Sequence, residues 1–134
     1  MKEFPLQIVT PDKTGYDGMA VSLLIRTTEG DIEILAGHAG LLAALGTGRA
    51  RIRKADGEEL YASVSGGFLT VSDGKVRVAP TTFELANELD LARAQAAKAT
   101  AEQALKDAKS ATEIDLAKAK LQRALARINV KTMR

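Results

Sequence analysis

Leu89-Asp90-Leu91-Ala92-Arg93-Ala94 marks the point where the chain stops reading as sheet and begins to read as helix. Up to Pro80 the sequence consists of short alternating runs cut by Gly, Asp and Pro, whereas after Asn87 it contains neither glycine nor proline. Glycine and proline are the strongest local breakers of regular structure, so their loss separates two architectures. The expected division is a β-sandwich over residues 1–86 and an α-helical hairpin over residues 87–134.

On the amino-terminal side, Phe4, Leu6 and Ile8 alternate with Gln7 and Val9, and Thr10-Pro11-Asp12 ends that run as a turn. Met19 to Arg26 reads as one strand, closed by Thr27-Thr28-Glu29-Gly30. Ile32 and Ile34 precede the loop Ala36-Gly37-His38-Ala39-Gly40, and the Leu41 to Leu45 run follows it. Arg49, Arg51 and Arg53 alternate with Ala50 and Ile52, giving a strand with one basic and one apolar side. Asp56-Gly57 and Asp73-Gly74 read as two-residue hairpin turns, because glycine reaches the positive φ they require. Short strands without intervening helices predict an antiparallel β-sandwich, and the fold class is α+β.

On the carboxy-terminal side, Asn87-Glu88-Leu89-Asp90 predicts a capping side chain followed by two acids in the first helical turn. Ser110-Ala111-Thr112-Glu113 predicts a capping box for a second helix. Asp107 to Ser110 leaves room only for a short connection, so the two helices should be antiparallel neighbours. Ala94, Ala97, Ala101, Ala104 and Ala108 should face Ile114, Ala117, Leu121, Ala124 and Ile128. Such small residues let helices approach to roughly 8 Å, yet each methyl-sized group adds only ~0.8 kcal/mol on burial. A hairpin held this way should dock marginally.

Composition narrows the function classes. The chain has 134 residues, 19 Lys and Arg against 17 Asp and Glu, a formal charge of +2, and 4% aromatics. That balance argues against a dedicated nucleic-acid binder, which needs a basic face and, for single strands, stacking aromatics. With no cysteine there is no disulfide framework, thiolate zinc site or cysteine nucleophile. No apolar run approaches spanning length and no signal peptide is apparent, so a soluble chain is expected that meets a membrane only through a partner.

The charge is unevenly placed. From Lys118 onward Lys118, Lys120, Arg123, Arg127, Lys131 and Arg134 occur without an acid among them. Arg123 and Arg127, at i and i+4, are spaced to converge on one anion, with Arg93 of the first helix facing the same spot if the hairpin folds back. Cations near a helix C-terminus also complement its dipole, so the cluster reads either as that or as a handle for an acidic surface or polyphosphate. His38 is the single histidine, and no second metal-ligating side chain is placed with it. Gly66-Gly67 reads as a bulge or a close approach of strands, because no P-loop Lys-Ser/Thr pair or helix follows it.

Taken in order, these residues resemble the epsilon subunit of the F-type rotary ATP synthase, called delta in mitochondria. Val9-Thr10-Pro11-Asp12 is similar to the family's opening strand and turn. Glu29-Gly30-Asp31-Ile32 with Gly37-His38 is similar to its Gly-Glu-Leu-Gly-Ile-x-Pro-Gly-His stretch, and Ser65-Gly66-Gly67-Phe68-Leu69 to its Ser-Gly-Gly segment. Leu89 to Ala94 is similar to its Ile/Leu-Asp-x-x-Arg-Ala motif. Glu33 and Ala36 depart from the family's Gly and Pro, which bears on how the loop meets its partner.

The resemblance implies a noncatalytic rotor subunit of the central stalk. Its sandwich would bind the gamma subunit and the c-ring, with Asp31, Glu33 and His38 at the ring contact. Its hairpin, when extended, would inhibit ATP hydrolysis by setting Lys120, Arg123, Arg127, Lys131 and Arg134 against acidic segments of the catalytic beta subunits. When folded down, it would hold a regulatory ATP without magnesium and without turnover, at Glu84, Leu89, Asp90, Arg93, Ala94, Arg123 and Arg127. No metal and no required cofactor is expected. The implied location is the cytoplasmic face of the bacterial plasma membrane, with the stromal face of a thylakoid as the second choice. A freestanding ATP-sensing module is the alternative, and an enzyme fits poorly, since only scattered carboxylates and one histidine are on offer.

Overall fold

The computed structural model describes residues 2–132. Nine strands occur among them: β1 (Phe4–Val9), β2 (Thr14–Ala20), β3 (Ser22–Thr27), β4 (Gly30–Leu35), β5 (Leu41–Arg53), β6 (Glu59–Ser65), β7 (Phe68–Ser72), β8 (Lys75–Ala79) and β9 (Thr82–Leu85). A 3-10 turn, Ala86–Glu88, leads into helices α1 (Leu91–Asp107) and α2 (Ala111–Thr132). One sheet runs β2-β1-β8-β7 and ends on the first half of β5; the other joins β4-β3 to the second half of β5, then β6 and β9.

The sandwich is therefore joined through one long strand. The Leu41 to Leu45 run and the arginine strand are continuous in β5, and the change of sheet occurs between them. Opposite β3, Ile25 pairs with Ala50 but Thr27 pairs with Leu45, so the intervening residues of β5 bulge and reverse the side that faces inward. Met19 to Arg26, read as a single strand, is instead cut at Val21, whose N–H donates to Arg53 O (2.9 Å) as the chain passes from β2 to β3. The expected antiparallel order holds for every pairing described except β1 with β8, which is parallel.

Alternation directs the core. Phe4, Leu6 and Ile8 of β1, Leu23 and Ile25 of β3, Ala50 and Ile52 of β5, Val76 and Val78 of β8, and Phe83 of β9 all point between the sheets. This core cluster is drawn from the strands alone, so the helices add to it nothing that it requires. At Gly67 (φ 88°) an added Cβ would lie 2.0 Å from Ala79 O, which is the close approach the Gly-Gly pair predicts. Asp73 (φ 52°) and Gly74 (φ 75°) form the two-residue β7–β8 turn as expected, whereas Asp56-Gly57 sits within a longer loop closed by Lys54 N–H to Glu58 O (2.9 Å).

The hairpin is docked, with α2 lying across β5 and β6 and α1 resting on α2. Two details of its sequence reading change. The α1 N-cap is Asp90, whose Oδ1 accepts from Arg93 N–H (3.1 Å), while Asn87 and Glu88 belong to the 3-10 turn and no acid stands in the first turn of α1. Ala94 and Ala101 are buried, but Ala97 and Ala104 are exposed; Lys98 and Leu105 take the intervening seam positions. The seam thus follows four-three spacing from Ala94, as antiparallel coiled helices require. At α2, Ser110 Oγ accepts from Glu113 N–H (3.1 Å), and Glu113 reaches back to Lys109 N–H (3.2 Å), one residue before the cap position expected.

Candidate nucleotide pocket and partner surfaces

A pocket of about 360 Å³ opens where the sandwich, the 3-10 turn and both helices meet, and it is lined by Glu84, Glu88, Leu89, Asp90, Arg93, Ala94, Ala97 and Arg127. Each side chain has a local reason to be there. Glu84 projects from β9, the last strand beside β6. Leu89 and Ala94 are buried and fix the entry of α1. Asp90 is held by its capping bond, and Arg93 follows on the first turn, so the acid and the base of the motif are set by one helix start. Antiparallel pairing brings the carboxy-terminal part of α2 back over that start, which delivers Arg127.

Arg127 Nε donates to Glu84 Oε1 at 2.8 Å, and both side chains are about one-third exposed. Beside them, Lys131 Nζ donates to Ala86 O (3.0 Å). Glu88 accepts from Lys13 Nζ (2.6 Å) through one oxygen and from Leu85 N–H (3.2 Å) through the other. The Lys13 ammonium holds the Glu88 carboxyl below the usual carboxylate range, against a smaller opposing effect of burial. Lys13 stands on the β1–β2 turn, so this pair ties the sandwich to the start of the hairpin.

Six of the seven residues that the resemblance implies for a nucleotide come together here: Glu84, Leu89, Asp90, Arg93, Ala94 and Arg127. Arg123 is half-buried on α2 and does not line the pocket. One helical turn, roughly 5–6 Å, carries it away from the hinge toward the α1–α2 connection. Glu88 and Ala97 join the lining without having been expected. No local signal marks Glu88, because Glu84 stands on β9 and Glu88 in the 3-10 turn, so their four-residue spacing puts them on no common helix face.

The residues assigned to the ring contact fall into two groups. Asp31 accepts from Arg26 Nε (2.6 Å) and lies 3.5 Å from Arg49 Nε; Glu33 accepts from Arg51 (2.7 Å) and from the Ser22 hydroxyl (2.8 Å). Both carboxylates thus sit in a cross-strand ladder with the arginine row of β5 on the outer face of the sheet. His38 is exposed in the β4–β5 loop, with Nδ1 at 2.8 Å from Ala39 O, and the turn there closes through His38 N–H to Leu35 O (3.1 Å) despite Ala36. Of the cations assigned to inhibition, Lys120 is exposed, Arg127 and Lys131 are engaged at the hinge, and Arg134 lies outside the described residues.

The outer face of the other sheet carries an apolar patch. Leu42 is 70% exposed and Phe68 59%, and Ala44 and Ala79 flank Phe68 across the ladder. Among the described residues, no helix is long and apolar enough to cross a membrane and no group of three or more His, Asp and Glu is placed to hold a metal ion.

Comparison with known proteins covers nearly the whole chain and matches the division into sandwich and hairpin. Residues 3–86 match the beta-sandwich domain of the ATP synthase delta/epsilon chain, and residues 87–132 match its long alpha-helix domain. The chain is 41% identical over 131 residues to the ATP synthase epsilon chain of Ruminococcus albus, covering 97% of both, and 37% identical over 134 residues to that of Bacillus cytotoxicus, covering 100% of both. Its fold is shared with chains in the mitochondrial ATP synthases of Euglena gracilis (TM-score 0.83, 21% identity, 92% of this chain and 78% of that one) and Tetrahymena thermophila (TM-score 0.66, 16% identity, 98% of each). The chain belongs to the delta/epsilon chain family of ATP synthase.

Proposed function

We propose that the chain acts as a noncatalytic subunit of the rotary central stalk, with a sandwich that clamps rotor parts and a hairpin that regulates ATP hydrolysis. The observation that carries the regulatory half is the pocket at the hinge, where Asp90, Arg93, Glu84 and Arg127 come from a helix start, a strand and a second helix. A ligand seated there touches every part that must stay together for the hairpin to remain docked, so it favours the docked state by its differential affinity. Two guanidinium groups suit a polyphosphate, and the carboxylates suit ribose or base donors. The arginines of the lining need no magnesium to meet phosphate, which supports a bound nucleotide without a metal.

Undocking frees Arg127 and Lys131 from Glu84 and Ala86 and returns their charge to a helix that already exposes Lys118 and Lys120. That basic helix fits acidic segments of the beta subunits. The Leu42 and Phe68 face fits the gamma subunit by its unpartnered apolar area, and the loop bearing His38 fits the c-ring, with Asp31 and Glu33 reaching it only by leaving their arginines. The division of labour falls at Ala86–Asn87, and the complex would sit peripherally on the cytoplasmic face of a bacterial membrane. Co-purification tests the whole: tagged chain should bring down gamma and the catalytic subunits, while recovery of the chain alone would favour a freestanding ATP sensor.

A further inference from the structure

On the opposite side of α2 from Arg127, a wider cleft of about 880 Å³ separates the helix from the outer face of the sheet. Its sheet wall holds Arg26 and Arg49, and both guanidinium groups meet a single carboxylate, Asp31, through their Nε atoms. Among the described residues, two cations meet one anion there, since the neighbouring Glu33 is taken by Arg51. The helix wall offers the side-chain amides of Gln122 and Asn129, and Thr28 lies at the rim. The cleft spans the sandwich and the hairpin, and on α2 these donors stand beside the apolar Leu125, Ala126 and Ile128.

The position of Arg26 is built into the backbone. Gly46 and Gly48 of β5 lie beneath it, and a Cβ on Gly48 would come within 2.9 Å of Arg26 Cβ and Cγ and 3.3 Å of Cζ. The bulge that carries β5 between sheets also opens the track along which Arg26 lies flat. Asp31 then fixes Nε, and a guanidinium pinned at Nε presents its terminal nitrogens as a fork suited to an oxyanion.

We propose that this cleft is a binding site for a small phosphate-bearing anion, held between Arg26 and Arg49 on the sheet and Gln122 and Asn129 on α2. The volume is that of a small-molecule site. Because the ligand joins sandwich to hairpin, it stabilises the docked state from the side of α2 that the nucleotide pocket does not reach, and the two ligands act on docking together. An acidic protein segment is the competing occupant; the cleft is open to solvent, so the pyrophosphate and polyglutamate arms of the test separate the two.

The test uses the full chain, pyrophosphate and inorganic phosphate as probes, and sodium chloride at matched ionic strength as reference. Amide chemical shifts of Thr28, Asp31 and Asn129 should saturate with pyrophosphate, with inorganic phosphate weaker. Arg26→Gln with Arg49→Gln should weaken binding at least about tenfold, the loss expected for one charge-assisted hydrogen bond or more. Gln122→Ala with Asn129→Ala, changes on the helix surface that leave the sheet intact, should weaken it several-fold. Lys106→Gln, an exposed lysine in the last turn of α1 that lines neither pocket, should leave it unchanged. Non-saturating shifts, wild-type binding by both double variants, loss of binding in Lys106→Gln, or saturation by a polyglutamate peptide with no response to pyrophosphate would each overturn the assignment.

Discussion

Arg127 and Glu84, 43 residues apart in sequence, close an ion pair at 2.8 Å that joins the second helix of the hairpin to the last strand of the sandwich. The pair occupies one side of the hinge pocket, so the same arginine that faces a phosphate in the proposed complex holds the hairpin down when the pocket is empty. Partly exposed pairs of this kind contribute about 0.2–1 kcal/mol. The hold is therefore weak enough for a ligand or a partner to decide the outcome.

Arg127→Gln and Glu84→Gln should each speed amide exchange along α2 by a few-fold at most, and the double variant should be no worse than either single change. A double-mutant cycle read by hydrogen exchange measures this. Strand amides should keep their protection in all three variants, because the core is confined to the strands.

Acid should loosen the hinge. The Lys13 ammonium lowers the pKa of Glu88, so the tie contributes fully above the ordinary carboxylate range and is lost as pH falls through the lowered value. Exchange protection in the first turn of α1 should be flat near neutral pH and fall on acidification. In Glu88→Gln that acid-side step should disappear, which a pH series on the two proteins checks.

Gly67→Ala should destabilise the sandwich by at least about 2 kcal/mol, combining a left-handed φ with overpacking. An added Cβ would lie 2.0 Å from Ala79 O, a backbone atom that the β7–β8 pairing fixes. Thermal unfolding should show a lower midpoint, whereas Gly74→Ala, where nothing lies within 4 Å of the new Cβ, should cost only the φ strain.

A chain ending at Ala86 should still fold, since no helix residue belongs to the core cluster. It should bind gamma through the Leu42 and Phe68 face and lose control of hydrolysis. Replacing Lys120, Arg123 and Lys131 together with Ala in the full chain should raise ATP hydrolysis by the assembled enzyme without impairing assembly. ATPase rates of the reconstituted complex measure both.

Local chemistry made much of this molecule legible. Gly67, the Asp73-Gly74 turn, the Ser110 cap and the inward set Phe4, Leu6 and Ile8 follow from φ, turn type and period, which are properties of a few adjacent residues. What depends on long-range geometry was not legible. The parallel pairing of β1 with β8 joins segments far apart in sequence, and the continuity of β5 appears only when two sheets compete for its halves.

Within the site the same distinction holds. Asp90, Arg93 and Ala94 share one helix start and are recognisable as a motif, while the place of Arg123, outside the pocket lining, depends on how far α2 runs back along α1. Asn87 and Asp90 are both good caps, and the 3-10 turn decided between them. Ala97 and Ala104 lost the seam to Lys98 and Leu105 because alanines fill several faces of α1 and cannot mark one.

In the proposed mechanism, ATP bound in the hinge pocket keeps the hairpin docked. Titration calorimetry of ATP into the full chain without magnesium, paired with hydrogen exchange on the same samples, tests it most directly. Saturable binding of ATP, tighter than ADP, with slowed exchange in α1 and α2 and loss of both effects in Arg93→Gln with Arg127→Gln, is the predicted result. No heat at millimolar ATP while both helices remain formed would rule out a regulatory nucleotide at the hinge and leave Asp90 a helix cap and Arg127 a structural tie.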